Sequence, residues 1–214
     1  MGRIKALTKH FLIWILKNLY SKSEIVKVNL KNVHIKSAKL LENRSSLLTL
    51  MKKNAIVAEI GVAEGDFSRE ILQITQPQKL HLVDCWGSKR YHSGLKLLVE
   101  NKFENEIKNE IVEVHKGLST DMVSNFSDNY FDWIYIDTDH TYHTTLSELR
   151  LYAPKVKPDG IIAGHDYIMG NWEKYFKYGV IEAVHQFCVE ENWEIVYLTM
   201  EGDNAPSFAL KRIY

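Results

Sequence analysis

Short apolar runs bounded by polar or glycine positions alternate with stretches that read as helices. The runs are AIVAEIGV (55–62), LHLVDCWG (80–87), EIVEVHKG (110–117), FDWIYIDTD (131–139) and GIIAGHDY (160–167). Runs this short and this apolar are buried parallel strands. The stretches between them, roughly 66–75, 94–108, 119–125 and 141–154, are predicted helices. Such alternation implies a parallel sheet with helices on both faces. The end differs: a helix near 177–191 precedes WEIVYLTM (193–200), a turn around GDNAP, and SFALKRI (207–213). Two strands joined by a short turn are antiparallel. The predicted architecture is α/β, mostly parallel, with an antiparallel final hairpin.

The first fifty residues are of another kind. Residues 3–20 form an amphipathic pattern with Ile4, Leu7, Phe11, Trp14 and Ile15 on one face and Lys5, Lys9 and Lys17 mostly elsewhere. The unbroken apolar run, Phe11–Leu16, is far short of the ~20 residues that a membrane span needs. It has neither the longer apolar core nor the cleavage site of a signal peptide. Such a helix packs on its own domain, pairs with a second subunit in a homodimer, or lies on an anionic membrane surface. Residues 24–36 read as a short strand or an extended connection, and 37–52 as a helix. The division is 1–50, N-terminal helix and extension, and 51–214, main domain.

Composition narrows the partners. Of 214 residues, 45% are apolar and 25% charged, as in soluble globular proteins. Lys and Arg total 27, as do Asp and Glu, so no net field argues for nucleic acid as an obligate partner. Cys85 and Cys188 stand in no metal-type spacing. They read as reduced thiols of a cytoplasmic protein, which could sit peripherally on the inner membrane surface through residues 3–20.

Parallel sheets bind ligands beyond the carboxyl ends of their strands. The first run ends in Glu59, Gly61 and Gly65, whose glycines allow a tight turn into a helix. A dinucleotide fingerprint needs glycine where Ala63 and Asp66 stand, and no P-loop lysine follows. Glu64 and Asp66 would repel a pyrophosphate. An acidic, glycine-poor loop suits a ligand with a positive end and no phosphate, such as S-adenosylmethionine. Asp84 ends the next strand, where an acidic side chain takes ribose hydroxyls.

Asp137, His165 and Asp166 end the fourth and fifth strands and converge if those strands are neighbours. Two carboxylates and an imidazole could bind a divalent ion: oxygens suit Mg²⁺ or Ca²⁺, and the imidazole favours Mn²⁺ or Fe²⁺. Helix capping by Asp139 or Thr141 is the structural alternative. His140 and His143 open the next helix, and His140, nearer the strand end, is the expected general base. The loop Gly87–Gly94, with Lys89, Arg90, Tyr91 and His92, could close over the site or bind an anionic acceptor, and could equally be a solvated loop.

Together, EIGVAEGDFS, LHLVDCWG, KGLSTDM, DWIYIDTDHTYHTTLSELRLYAPKVKPDGIIAGHDY and the final hairpin resemble class I S-adenosylmethionine-dependent methyltransferases. The nearest likeness is to the subgroup of macrolide-sugar O-methyltransferases and cephalosporin-hydroxylase-like proteins. The resemblance covers roughly residues 50–212 and is most specific over 131–167. It implies a Rossmann-like, seven-stranded sheet whose last strand is antiparallel. It places Glu59, Gly61 and Gly65 at the methionine end of the cofactor, Asp84 on the ribose and Ser119 beside the adenine. Ala63, Asp66, Phe67, Cys85, Trp86 and Asp137 complete the cofactor set. Asp137, His165 and Asp166 fall on divalent-metal positions, for Mg²⁺ or Mn²⁺, and Asp137 and His140 are the catalytic pair. Two departures stand out. His165 replaces a carboxylate common in relatives, and Leu118 replaces a polar residue that often meets the adenine amine. The implied activity is O-methylation of a sugar or glycosylated small molecule in polysaccharide or natural-product pathways. The alternatives are a non-enzymatic cofactor-binding scaffold, a metal-dependent oxygenase on the same fold and, more distantly, a nicotinamide oxidoreductase.

Overall fold

A computed structural model describes residues 10–15, 25–171, 176–202 and 205–214. The apolar runs pair into one sheet made of β1 (Lys39–Leu41), β2 (Ile56–Ile60), β3 (Lys79–Asp84), β4 (Val112–Lys116), β5 (Phe131–Ile136), β6 (Val156–Gly164), β9 (Trp193–Thr199) and β10 (Phe208–Arg212). A small ribbon of β7 (Gly170–Asn171) and β8 (Phe176–Lys177) stands apart. The order across the sheet is β1-β9-β10-β6-β5-β2-β3-β4. All neighbours are parallel except those of β10, which runs antiparallel to β6 and β9. Among the described residues from 25 on, the α-helices are α1 (Arg44–Leu50), α2 (Asp66–Thr75), α3 (Ser93–Lys102), α4 (Glu104–Lys108), α5 (Ser119–Met122), α6 (Tyr142–Tyr152) and α7 (Val180–Glu191).

The alternation of strand side chains divides the core into two layers. Ile134 and Ile136 of β5 join Leu146 and Leu149 of α6 and Val184 and Phe187 of α7. Trp133 and Tyr135, one step along, enter the opposite layer with Leu47 of α1, Phe67 and Ile71 of α2 and Val99 of α3. Both faces are covered, so the central strands lack the polar alternation of a half-exposed sheet. The parallel register sets Ile60 beside Val83 and Ile136, and Ile136 beside Gly164. The carboxyl ends of β2, β3, β5 and β6 are therefore level.

The expected Rossmann-like sheet is present, with eight strands among the described residues rather than seven. The added strand is β1, which extends the sheet beyond β9. It lies in the stretch 37–52 expected to be all helix. Asn43 breaks that stretch: its side chain accepts the Ser46 N–H at 2.8 Å and caps α1. Only three residues long and largely exposed, β1 has no apolar alternation to betray it. Residues 24–36 are not a strand where described; they hold a single 3₁₀ turn, Asn32–His34. The helix expected over 94–108 breaks at Phe103, a buried residue, into α3 and α4. Of the helix expected over 3–20, only 10–15 falls within the described residues. It is helical, with Phe11, Leu12, Ile13 and Trp14 exposed.

Candidate active site

The chain turns immediately after β2. Gly61 N–H donates to the Val83 carbonyl at 2.8 Å, and Asp137 N–H to the Ile60 carbonyl at 2.7 Å. A Cβ on Gly61 would lie 1.9 Å from the Asp137 carbonyl oxygen, and its φ is 92°. Only glycine permits that approach of β2 to β5. Gly65, at φ 76°, opens α2 from the left-handed region. Between them, Ala63 has φ 51° and Trp86, facing it, φ 39°. These strained residues are clamped together. One oxygen of Asp84 accepts the Val62 and Ala63 N–H groups at 2.9 Å each, and the other accepts Trp86 N–H at 2.8 Å. The Trp86 indole N–H donates to the Ala63 carbonyl at 3.0 Å. Left-handed non-glycine backbone persists only where its surroundings over-determine it.

Other loop residues divide by environment. Glu59 is buried, and the Ser68 hydroxyl donates to it. Burial pushes its carboxyl up to about 8, with the Asp137 and Asp84 charges acting the same way. It is therefore neutral at pH 7. The Phe67 ring packs 4.4 Å from that of Tyr135 and lies beneath the Arg44 guanidinium, 4.5 Å away. Asp66 faces outward and pairs with Lys102 at 2.7 Å. Cys85 is a half-buried free thiol, and Cys188 is free and fully enclosed.

At the ends of β5 and β6 three groups converge. The ligand atoms of Asp137, His140 and Asp166 lie within 4.8 Å of one another. His140 Nδ1 is 2.9 Å from Asp166 Oδ2 and 3.9 Å from Asp137 Oδ1. His165 Nδ1 faces the same two carboxylates, at 3.6 Å from Asp137 and 3.3 Å from Asp166. Its Nε2 is buried without a hydrogen-bond partner. His140 and Asp166 are both left-handed, at φ 60° and 57°. Capping is done by others: Thr141 accepts Thr144 N–H, and Asp139 accepts Thr141 N–H at 2.9 Å. Asp137 is thus spared for the site.

The electrostatics follow from this packing. Burial, together with the Asp166 charge, pushes Asp137 up, and the two histidines offset only part of that. Burial acts the same way on Asp166, but hydrogen bonds from His140 and His165 outweigh it and hold its carboxyl well below the usual range. Burial works to lower His140, yet its bond to Asp166 lifts it above the ordinary imidazole value.

Three further contributors have no sequence signature, and a fourth, Tyr91, comes from the loop that could close over the site. Glu148, on α6, is fully buried and accepts the hydroxyls of Ser119 and of Thr138, the latter at 2.8 Å. Burial pushes its carboxyl up to about 7. Tyr178 sets its ring 4.8 Å from that of His140. Tyr91, from the loop after β3, feels the charges of Asp137, Asp84 and Asp166, which with burial push its phenol up. Arg44 comes from the segment expected to be an extension, and its charge acts on Glu59 and Asp137. Long sequence separation hides Glu148, Tyr178 and Arg44 from pattern reading. Leu118 is exposed at the start of α5.

Comparison with known proteins bears on the family and the fold. A family model described as a methyltransferase domain matches residues 58–167, just over half of the chain. The chain belongs to that family, and its fold is that of the class I S-adenosylmethionine-dependent methyltransferases. A candidate rRNA methylase from Clostridium thermocellum superposes with a TM-score of 0.61 at 12% identity, over 81% of this chain and 98% of that one. The pyocyanin biosynthetic protein PhzM gives 0.60 at 12% identity, and 79% of this chain covers only 54% of its length. A SAM-dependent methyltransferase from Aquifex aeolicus gives 0.55 at 15% identity, over 76% and 84%. No curated protein sequence matches.

Proposed function

We propose that the protein O-methylates a hydroxyl of a sugar or glycosylated small molecule, with S-adenosylmethionine as donor. The observation that carries this reading is the His140–Asp166 pair at 2.9 Å, level with Asp137 and the Gly61–Gly65 turn. When bound, S-adenosylmethionine supplies a methyl group on a positively charged sulfur, which departs as a neutral thioether. The turn offers free N–H groups at the start of α2 for the donor's carboxylate. The Asp84 carboxylate already accepts three N–H groups. With about four acceptor sites on a carboxylate, it keeps room for a ribose hydroxyl. Ser119 and exposed Leu118 border the adenine end.

On the acceptor side, Asp166 receives the His140 Nδ1 hydrogen and fixes the tautomer. Nε2 is then the atom that takes the hydroxyl proton as the oxygen bonds to the methyl carbon. Tyr178, with its ring 4.8 Å from that of His140, offers an aromatic wall, and Arg90, stacked 4.9 Å over Tyr91, favours an acceptor with a negative group. Asp137, His140 and Asp166 also fit a divalent cation by their donor set, and in that state His140 would be a ligand and not the base. The cation would supply Lewis-acid activation of the hydroxyl. His165 suits a metal-binding role less well, because a ligating imidazole normally donates its second N–H and its Nε2 has no acceptor.

The test is calorimetric titration of S-adenosylhomocysteine, followed by labelled methyl transfer to a panel of sugars and glycosides with and without Mg²⁺ or Mn²⁺. Transfer lost in Asp166→Asn with cofactor affinity intact supports the reading. Cofactor binding without transfer to any hydroxyl refutes it and favours a scaffold or an oxygenase. Phe11 and Trp14, stacked at 6.1 Å on one side of the helix and both exposed, support a contact outside the domain. No described helix is long and apolar enough to cross a membrane. Sedimentation with anionic liposomes and gel filtration separate a membrane surface from a second subunit.

A further inference from the structure

Away from the strand-end site, β3 and β4 place three metal-binding side chain types on one patch of the sheet. Their parallel register sets His81 beside Glu113 and Val83 beside His115. Residues two apart on a strand share a face, so Glu113 and His115 project to the same side as His81. His81 Nδ1 lies 2.9 Å from His115 Nε2. Glu113 Oε2 is 3.8 Å from His81 Nδ1, and Glu113 Oε1 is 3.7 Å from His115 Nε2. A tetrahedral zinc ion with bonds of about 2.0–2.1 Å holds its ligand atoms about 3.3 Å apart. The separations here lie on either side of that value, so shifts of a few tenths of an ångström complete the geometry.

The surroundings have the character of a built site. His81 turns Nε2 to the Tyr130 hydroxyl at 3.1 Å, the outer hydrogen bond that orients a ligating imidazole. Phe126 stands edge-on to both imidazoles, at 5.2 and 5.3 Å, and Phe131 to His81 at 5.7 Å. Both rings are therefore held. Glu113 is half-exposed and gives a route from solvent. Its Oε2 is shared with the Lys79 ammonium at 3.1 Å, which an entering cation displaces.

We propose that His81, Glu113 and His115 form a second divalent-metal site, selective for Zn²⁺ or a similar borderline ion, that clamps the edge strand β4 to β3. Two imidazoles and one carboxylate select zinc, cobalt or nickel over magnesium, and the fourth position stays open to water. β4 is the last strand on its side of the sheet, and two of the three ligands lie on it.

The test uses the full chain, stripped with a chelator and carrying Asp137→Asn and Asp166→Asn to silence the strand-end site. Co²⁺ is titrated and its visible absorption recorded. The expected result is one equivalent bound with the intense bands of four-coordinate cobalt, displaced by Zn²⁺ and not by Mg²⁺. Glu113→Gln, at a half-exposed position, and His115→Gln should each weaken binding at least tenfold while far-ultraviolet circular dichroism is unchanged. Binding that survives both substitutions, or no binding at all, overturns the proposal and leaves a hydrogen-bonded histidine pair.

Discussion

Glu59→Gln isolates one buried carboxyl. Glu59 is 2% exposed, next to the Gly61–Gly65 turn. The substitution keeps its size and keeps an oxygen for the Ser68 hydroxyl. An ordinary carboxyl titrates at 4.5 and this one, because of burial, at about 8. The folded state therefore holds the proton more tightly than the unfolded state, and stability falls as pH rises through that window. The slope is about 1.4 kcal/mol per pH unit, so between pH 4.5 and 7 the group costs about 3 kcal/mol. The loss is complete above pH 8, at roughly 4 to 5 kcal/mol. The glutamine variant has no such proton to lose. Urea unfolding of both proteins at pH 5, 6, 7, 8 and 9, followed by the fluorescence of buried Trp86, Trp133 and Trp193, gives the difference directly. The variant should gain on the parent by about 3 kcal/mol from pH 5 to pH 8. Other titrating groups, Glu148 among them, are common to both proteins and cancel. Parallel stability curves would refute the reasoning, because they would mean that Glu59 is ionised when folded.

Three further outcomes are expected. Gly61→Ala should abolish S-adenosylhomocysteine binding in calorimetry and lower the melting temperature, since its Cβ would sit 1.9 Å from the Asp137 carbonyl oxygen. His140→Ala should lower kcat by about 10²–10⁴, the usual contribution of a general base, while cofactor affinity stays within about threefold. Trp86→Phe removes the indole hydrogen bond to the Ala63 carbonyl. It should weaken cofactor binding by about 1 kcal/mol, near fivefold, with the fold intact by circular dichroism.

Much of the fold is legible in the sequence because two-sided burial writes itself as unbroken apolar runs. β2, β4, β5 and the final pair fall within the runs that name them, while β3 begins one residue before its run and β6 four before. β1 does not, because a three-residue exposed edge strand carries no pattern, and its place depends on an edge of β9 that exists only after folding. At the site, chain order places Gly61, Gly65, Asp84, Asp137, His140 and Asp166 at strand ends, and the level register of β2, β3, β5 and β6 brings them together. What they touch is another matter. Asp84 can be read as a ribose ligand from its position, but not as the brace of Ala63 and Trp86. His165 and His140 are equally near Asp137 in reasoning from strand ends. The folded chain brings both imidazoles onto the carboxylates, and His140, in a left-handed turn like Asp166, makes the shortest contact, 2.9 Å to Asp166.

The sequence by itself determines most of the central strands and long helices, since the periodicity of apolar residues is a local property. It also points to the carboxyl ends of a parallel sheet as the candidate site, because that is where the polar residues punctuate the apolar runs. Only the tertiary structure decides which groups share a proton, which are neutral and which are free. Glu59 and Glu148 look like ordinary glutamates in the chain. Their pKa values, about 8 and about 7, arise from desolvation by residues distant in sequence, and desolvation is a property of the packed interior.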